Sequence, residues 1–241
     1  RSRVSKLSLD DAKRNAASAA IEFVEDGMTI GLGTGSTAAF FVEFLADEVA
    51  DGLLIKGVPT SEATRRLAET HGIPLIPIEQ VERIHLTVDG ADEIDPSANL
   101  IKGGGAALLR EKIIANASDH MVVIADGTKA VDTLGQFPLP VEVTSFGFTI
   151  TAKKVYDALR KTGVDKPLVK VREPGKSGSP LVTDGGNYIL DCTCGVIPNP
   201  AATALELSII PGVVEHGLFL NLARTIILGD DEGAEVLEFE Y

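Results

Sequence analysis

Glu111 stands where a glutamate is usually avoided. It lies in the run Leu100-Ile-Lys-Gly-Gly-Gly-Ala-Ala-Leu-Leu-Arg-Glu-Lys112, whose later part reads as a helix over 105–117. On a helix its angular neighbours are Ala107, Leu108, Ile114 and Ala115, all apolar, while Arg110 and Lys112 project to either side. Burying a charge is costly, so partial burial there is expected to raise the carboxyl pKa toward neutrality. That is the range in which a general base works. A buried salt bridge or a helix-surface glutamate is the alternative. The chemical reading is favoured because two glycine loops and an acidic turn are expected to converge nearby.

Gly103, Gly104 and Gly105 precede this helix. Ordering three consecutive glycines costs entropy, and close backbone approach to a ligand is one reason to do so; a hinge is the other. Lys102, at the loop's edge, supplies a positive charge. Val88-Asp-Gly-Ala-Asp-Glu93 follows a strand expected inside the sheet, so Asp89 should sit at a carboxyl end, where sites form. Gly90 and Ala91 carry the turn to Asp92, and two carboxylates so close should raise the pKa of at least one. An Asx turn accounts for the same residues. Ala125-Asp-Gly-Thr-Lys129 ends another strand; Lys129 could reach the same cleft, although solvation alone accounts for it.

A second glycine loop, Gly31-Leu-Gly-Thr-Gly-Ser-Thr37, follows a strand and opens a helix. Backbone amides at a helix start bind anions, and Thr34, Ser36 and Thr37 add hydroxyls around Gly35. A dinucleotide site would want Gly in place of Ser36 and an acid at the end of the next strand. That strand ends in Gly57-Val-Pro-Thr-Ser61 instead, so phosphate binding is the better reading. Gly175-Lys-Ser177 is not a nucleotide loop, because Lys170 stands where its first glycine is required; a surface turn is expected.

The elements that must position these residues alternate in the first half. The spacing predicts a helix capped by Ser8 with Ala12, Ala16, Ala20 and Phe23 on one face. Strand 28–32, helix 36–49, strand 53–58, helix 61–70, strand 84–88, the Glu111 helix and strand 121–125 follow. Such alternation implies an α/β fold, a doubly wound, Rossmann-like and mostly parallel sheet with helices on both faces. After Gly135-Gln-Phe-Pro-Leu-Pro140 the pattern changes to strand 141–144, helix 149–161, strands 168–171 and 188–194, and a helix opened by Asn199-Pro200. This reads as a small α+β domain over 135–207, inserted into a catalytic domain formed by 1–134 and 208–241. Val213-Val214 and Thr225 to Leu228 are expected to return to the first sheet.

Composition narrows the function. A net charge of −13 argues against general nucleic-acid binding and also repels anionic ligands, so a phosphate site needs local lysines, amides and helix ends. The acidity is a solubilising surface or an adaptation to salt. The apolar runs are too short for a membrane span. Arg1 to Lys6 is basic with no apolar signal core after it, so a cytoplasmic protein is expected. Cys192 and Cys194 share a strand face with Leu190 and are expected in the core; His71, His85, His120 and His216 form no close pair. No metal site is expected.

Taken together, Gly33-Thr-Gly-Ser-Thr37, Asp89-Gly-Ala-Asp-Glu93, Lys102 to Lys112, Phe137-Pro-Leu-Pro-Val-Glu-Val143, Ile210-Pro-Gly-Val-Val214 and Gly217-Leu-Phe219 resemble ribose-5-phosphate isomerases of the A type. The similarity runs from about Ala12 to the C-terminal strand with order kept. The resemblance implies reversible conversion of ribose 5-phosphate to ribulose 5-phosphate in the pentose phosphate pathway, with no metal and no cofactor. It implies Glu111 as base, with Asp89, Asp92 and Lys102 assisting. Thr34 to Thr37, Asp89 to Asp92, Lys102 to Gly105 and Lys129 would contact substrate, and Lys13 would approach the phosphate. It also implies a ferredoxin-like small domain and a homodimer or homotetramer. Gly127-Thr128 departs mildly from the family. The rival readings are a sugar-phosphate sensor, a nicotinamide-dependent dehydrogenase and a coenzyme A transferase using Glu111 as nucleophile. A sensor would need an output module, and no helix-turn-helix or basic segment is visible.

Overall fold

The computed structural model describes residues 6–175 and 178–240, with Lys6 to Ser8 described by backbone alone. The basic segment before Lys6, and Lys176 and Ser177 of the expected surface turn, lie outside the described residues. In chain order the elements are α1 (Lys6–Ala20), β1 (Thr29–Leu32), α2 (Ser36–Ala50), β2 (Lys56–Pro59), α3 (Glu62–Thr70), β3 (Ile84–Asp89), β4 (Glu93–Ile94), β5 (Leu100–Ile101), α4 (Leu108–Ala117), β6 (Ser118–Asp126), β7 (Leu139–Val143), α5 (Phe148–Lys161), β8 (Leu168–Val171), β9 (Tyr188–Thr193), α6 (Pro200–Ser208), β10 (Val213–His216), β11 (Leu218–Phe219), β12 (Thr225–Gly229) and β13 (Ala234–Glu238). They form two compact units. The first comprises Arg1–Ala91, Arg110–Lys129 and Asn221–Tyr241, and the second Asp92–Leu109 and Ala130–Leu220.

The first unit is the expected α/β fold. Its six-stranded sheet runs β13-β12-β6-β3-β1-β2, parallel throughout except for β13 at the edge. β1 and β3 are almost continuously buried, as strands covered on both faces must be. On α2 the buried residues Ala38, Phe41, Val42, Leu45 and Ala46 recur at helical spacing, and the last four pack with Ile30, Leu32, Leu86 and Val88. Ala12, Ala16 and Ala20 are buried on α1 as expected. The helix already starts at Lys6, so Ser8 sits inside it and is not its cap. The chain leaves β1 to β2 in one direction and crosses back to β3 on the other side. That reversal makes the carboxyl ends of β1 and β3 a topological switch point, where open α/β sheets bind ligands.

The second unit holds an antiparallel sheet ordered β10-β7-β9-β8 with α5 and α6, which is the βαββαβ pattern of ferredoxin-like folds. Val155 and Leu159 of α5 pack with Val141, Leu190, Cys192 and Cys194 in one core. Asn199 caps α6 by accepting from the Ala202 amide at 3.0 Å, worth about 1 kcal/mol. Val213 and Val214 do not return to the first sheet, since β10 pairs with β7 instead; Thr225 to Leu228, in β12, do return. A further small sheet, β11-β5-β4, is too short to leave a period in the sequence. These pairings draw 92–109, 130–134 and 208–220 into the second unit, so its bounds are wider than the expected 135–207.

Candidate active site

In the first unit, the loop after β1 and the end of β3 are built against each other. The Gly33 amide donates to the Val88 carbonyl at 2.9 Å, and the Thr34 amide to Asp89 Oδ1 at 3.1 Å. The same Oδ1 accepts from the Gly90 amide at 2.7 Å. No side chain fits at Gly33, because a Cβ would lie 2.3 Å from Asp89 Oδ1 and 2.5 Å from its Cα. Asp89 is fully buried and its Oδ1, accepting from both the Thr34 and Gly90 amides, braces the two loops internally.

Thr34 carries a network of hydroxyl bonds. Its hydroxyl lies 2.7 Å from Thr60 Oγ1, donates to Ser61 Oγ at 2.8 Å, and sits 3.1 Å from Thr64 Oγ1. Thr64 in turn donates to the Gly33 carbonyl at 2.9 Å, and Thr60 to the Leu32 carbonyl at 2.8 Å. Thr34 therefore ties the loop to the end of β2 and the start of α3. Ser36 and Gly35 are exposed and Thr37 half-buried, at the open N-terminus of α2, where Gly35 makes no side-chain cap. First-turn amides there are oriented for an anion. Of the hydroxyl partners, Thr60 and Ser61 were legible as the polar end of a strand and Thr64 only as a residue of the helix after it.

Glu111 is 4 % exposed, and Ile114 and Ala115 beside it on α4 are 3 % and 4 % exposed. The helix starts at Leu108 and not at Gly105, because Ala106 adopts a left-handed φ of 59° and closes a turn onto the Gly103 carbonyl at 3.0 Å. This moves Glu111 into the first turn, where the helix dipole favours a carboxylate. Arg110 turns aside to Glu62 at 3.1 Å. Glu62 is held below the usual carboxylate range by hydrogen bonds from Arg65 and then Arg110. Lys129 is half-exposed on the short turn after β6, whose Asp126 accepts from the Thr128 amide at 3.0 Å. Lys13 lies 3.8 Å from Asp10 on α1.

The other expected residues belong to the second unit. Asp92 donates its amide to the Ile101 carbonyl at 2.8 Å, and its Oδ2 accepts from the Gly104 amide at 2.8 Å. Lys102 is 2 % exposed; its amide donates to the Gly217 carbonyl at 2.8 Å and its Nζ lies 5.5 Å from the Phe219 ring centroid. Gly104 and Gly105 are exposed and Gly103 is buried. Sequence reasoning missed Arg172, which donates from Nη1 to the Gly103 and Gly104 carbonyls at 3.0 Å each and forks onto Asp191. The pair lies 19 residues apart in the chain and leaves no local signal in the sequence. The cysteines are core residues as expected, with burial pushing the Cys194 thiol up to about 12. Among the described residues, no group of three or more His, Cys, Asp or Glu is placed to hold a metal ion. Nor is any helix among them long and apolar enough to cross a membrane.

Comparison with known proteins adds family to geometry. The family model of ribose 5-phosphate isomerase A (phosphoriboisomerase A) matches residues 56–233. The ribose-5-phosphate isomerase A of Maricaulis maris is 56% identical over 226 residues, covering 94% of this chain and 97% of its own. Among solved structures, a D-ribose-5-phosphate isomerase in complex with phospho-erythronic acid is 39% identical, with a TM-score of 0.90 over 96% of this chain and 99% of that one. Ribose 5-phosphate isomerase A from Methanocaldococcus jannaschii is 35% identical, with a TM-score of 0.87 over 96% of this chain and 100% of that one.

Proposed function

Because this chain belongs to the ribose 5-phosphate isomerase A family, we propose that it interconverts ribose 5-phosphate and ribulose 5-phosphate through a cis-enediolate with Glu111 as base. The activity is an aldose–ketose isomerisation and places the chain in the pentose phosphate pathway. The observation that carries the role of Glu111 is its burial, together with Ile114 and Ala115 on the same helix. A carboxylate kept from water is a stronger base than a solvated one.

The proposed steps balance as follows. Asp89 and Asp92 handle hydroxyl protons as the sugar ring opens. The Glu111 carboxylate takes the proton from C2, and the C2–H pair becomes the C1–C2 double bond as the C1 carbonyl becomes an oxyanion. The proton returns to C1, while the O2 proton passes to O1. Lys102 and amides of the Gly103 to Gly105 loop stabilise the oxyanion, a contribution of about 3 kcal/mol for such donors. The phosphate is bound by Gly35, Ser36 and Thr37 at the start of α2, with Lys129 as a further cation; Thr34 holds that loop in shape. Gly90 and Ala91 line the turn between the two aspartates.

The same reading has the chain acting in the cytoplasm as a homodimer or homotetramer. Ile150 and Ile209, each 66% exposed, border an apolar groove on the second unit that a second copy would cover. The direct test is an isomerase assay on ribose 5-phosphate with and without chelator. Activity is expected in both, and none in either would return a sugar-phosphate sensor to first place. Glu111→Gln should fold, bind substrate and lose about a thousandfold or more in kcat, in the upper range for general base removal. A near-normal kcat would remove Glu111 from its role.

A further inference from the structure

Arg172 sits just past β8, held in place by its backbone: its amide donates to the Ile189 carbonyl at 2.7 Å, and its carbonyl accepts from Leu181 at 2.8 Å. Its side chain is 15% exposed. Nε donates to Asp191 Oδ2 at 2.8 Å and Nη2 to Asp191 Oδ1 at 2.6 Å, a bidentate pair that fixes the guanidinium plane. Nη1 is left to donate both protons to the glycine loop, at 3.0 Å to the Gly103 carbonyl and 3.0 Å to the Gly104 carbonyl. Four of the five guanidinium N–H donors are then used in fixed directions, which lysine cannot reproduce.

The peptide between Gly103 and Gly104 is pinned on both edges. Its carbonyl accepts from Arg172, and its N–H donates to Asp92 Oδ2 at 2.8 Å. A peptide unit is planar and trans, so fixing the carbonyl aims the N–H. The next peptide has its carbonyl on Arg172 as well, which turns the Gly105 N–H away from that side. Loops of three glycines do not hold such an arrangement by themselves.

We propose that Arg172, braced by Asp191, is a positioning residue that orients Asp92 and the Lys102–Gly105 loop through the Gly103–Gly104 peptide. The inference rests on the isomerase reading for what the loop does, and on geometry alone for how it is held.

The test compares Arg172→Ala, Arg172→Lys and Asp191→Asn in the full chain. Amide exchange at 104–107 should quicken in Arg172→Ala while the β7 and β9 amides stay protected. With ribose 5-phosphate, kcat should fall by about a hundredfold, the scale of a small misplacement of catalytic groups, with KM changed far less. Arg172→Lys should not restore it. Millimolar guanidinium should restore part of the kcat of Arg172→Ala and none of that of Asp191→Asn. If Arg172→Ala does not fold, Asp191→Asn carries the exchange and kinetic arms. Unchanged exchange at 104–107, or a kcat within twofold of the unaltered chain, overturns the proposal. An unaltered chain that does not isomerise ribose 5-phosphate overturns the function proposed above, while the exchange arm still decides whether Arg172 holds the loop.

Discussion

In the first unit the loop after β1 sets a glycine directly against the backbone of the neighbouring strand, whereas in the second unit the Gly103–Gly104 peptide is gripped by two charged side chains. Gly33 lies against the Cα of Asp89, and the Thr34 amide reaches the carboxylate of the same residue. The glycine loop of the second unit is bonded to two side chains, Arg172 and Asp92, besides its own backbone turn. A parallel sheet explains the first arrangement. Its adjacent strands β1 and β3 deliver two chain segments side by side at their carboxyl ends, so the loops meet without help. The short antiparallel pieces β4 and β5 deliver no such convergence, and the charged side chains of Arg172, just past β8, and of Asp92, just before β4, add to the order.

The sharpest way to break this contrast is a methyl group at one glycine of each loop. Gly33→Ala drives a Cβ to 2.5 Å from a backbone atom, which cannot turn away. The loop or β3 must shift, at about 1–3 kcal/mol in stability. We expect a lower Tm and a loss of kcat/KM on the order of a hundredfold, as for misplaced catalytic groups. Gly104→Ala meets only the Asp92 carboxylate, at 2.6 Å from Oδ1, and that side chain can rotate. Its cost is the hydrogen bond between them, about 1 kcal/mol, so kcat should fall by roughly tenfold with Tm nearly unchanged. Equal thermal losses in the two variants would erase the distinction.

How much could be read in the sequence follows the same divide. The first sheet was legible because its strands are apolar runs separated by helical periods, and both loops at its switch point carry glycine and acid in recognisable order. The burial of Glu111 was legible from its apolar neighbours. Where the chain was misread, a long-range partner decided. Val213 could pair with either sheet, and only the register with Val143 settles it. The hydroxyl network of Thr34 was not foreseen because its partners Thr60, Ser61 and Thr64 are 26 to 30 residues away. Arg172 gave no local signal, since a charged residue at a strand end is ordinary. The start of α4 moved because Ala106, a good helix former, takes a left-handed φ that propensity does not foresee.

Cysteine chemistry gives a smaller, cleaner reading of the second unit. Both cysteines of the chain lie in its core, so labelling reports on that unit alone. Burial first, then the nearby charge of Glu93, pushes the Cys194 thiol up to about 12. Cys192 is raised well above its usual value by the same burial. At pH 8 almost no thiolate forms in the folded chain, and iodoacetamide should label both residues at least a hundredfold more slowly than in urea, where the thiol returns to a pKa near 8.5. Rapid labelling under native conditions would mean that this core opens readily, and the rigid platform assigned to Arg172 would lose its basis.

The smallest effect concerns charge at the surface. Glu62 accepts from Arg65 at 2.8 Å and from Arg110 at 3.1 Å, with about two-fifths of its side chain exposed (39%). Those hydrogen bonds depress its pKa in the folded state. A depressed carboxyl contributes stability above its unfolded pKa and loses it as pH falls through the folded value. Replacing Glu62 with Gln should therefore lower Tm slightly at pH 7, and the difference should vanish once the pH drops below the folded pKa. Salt at the molar level should shrink the same difference at pH 7, because exposed pairs are screened. The Arg172–Asp191 pair, less exposed and locked by a second set of bonds, should resist that salt: kcat of the unaltered chain should respond to it no more than kcat of Glu62→Gln does. A salt-induced loss of kcat that reproduces the Arg172→Ala phenotype would show instead that both units rely on screened surface charge.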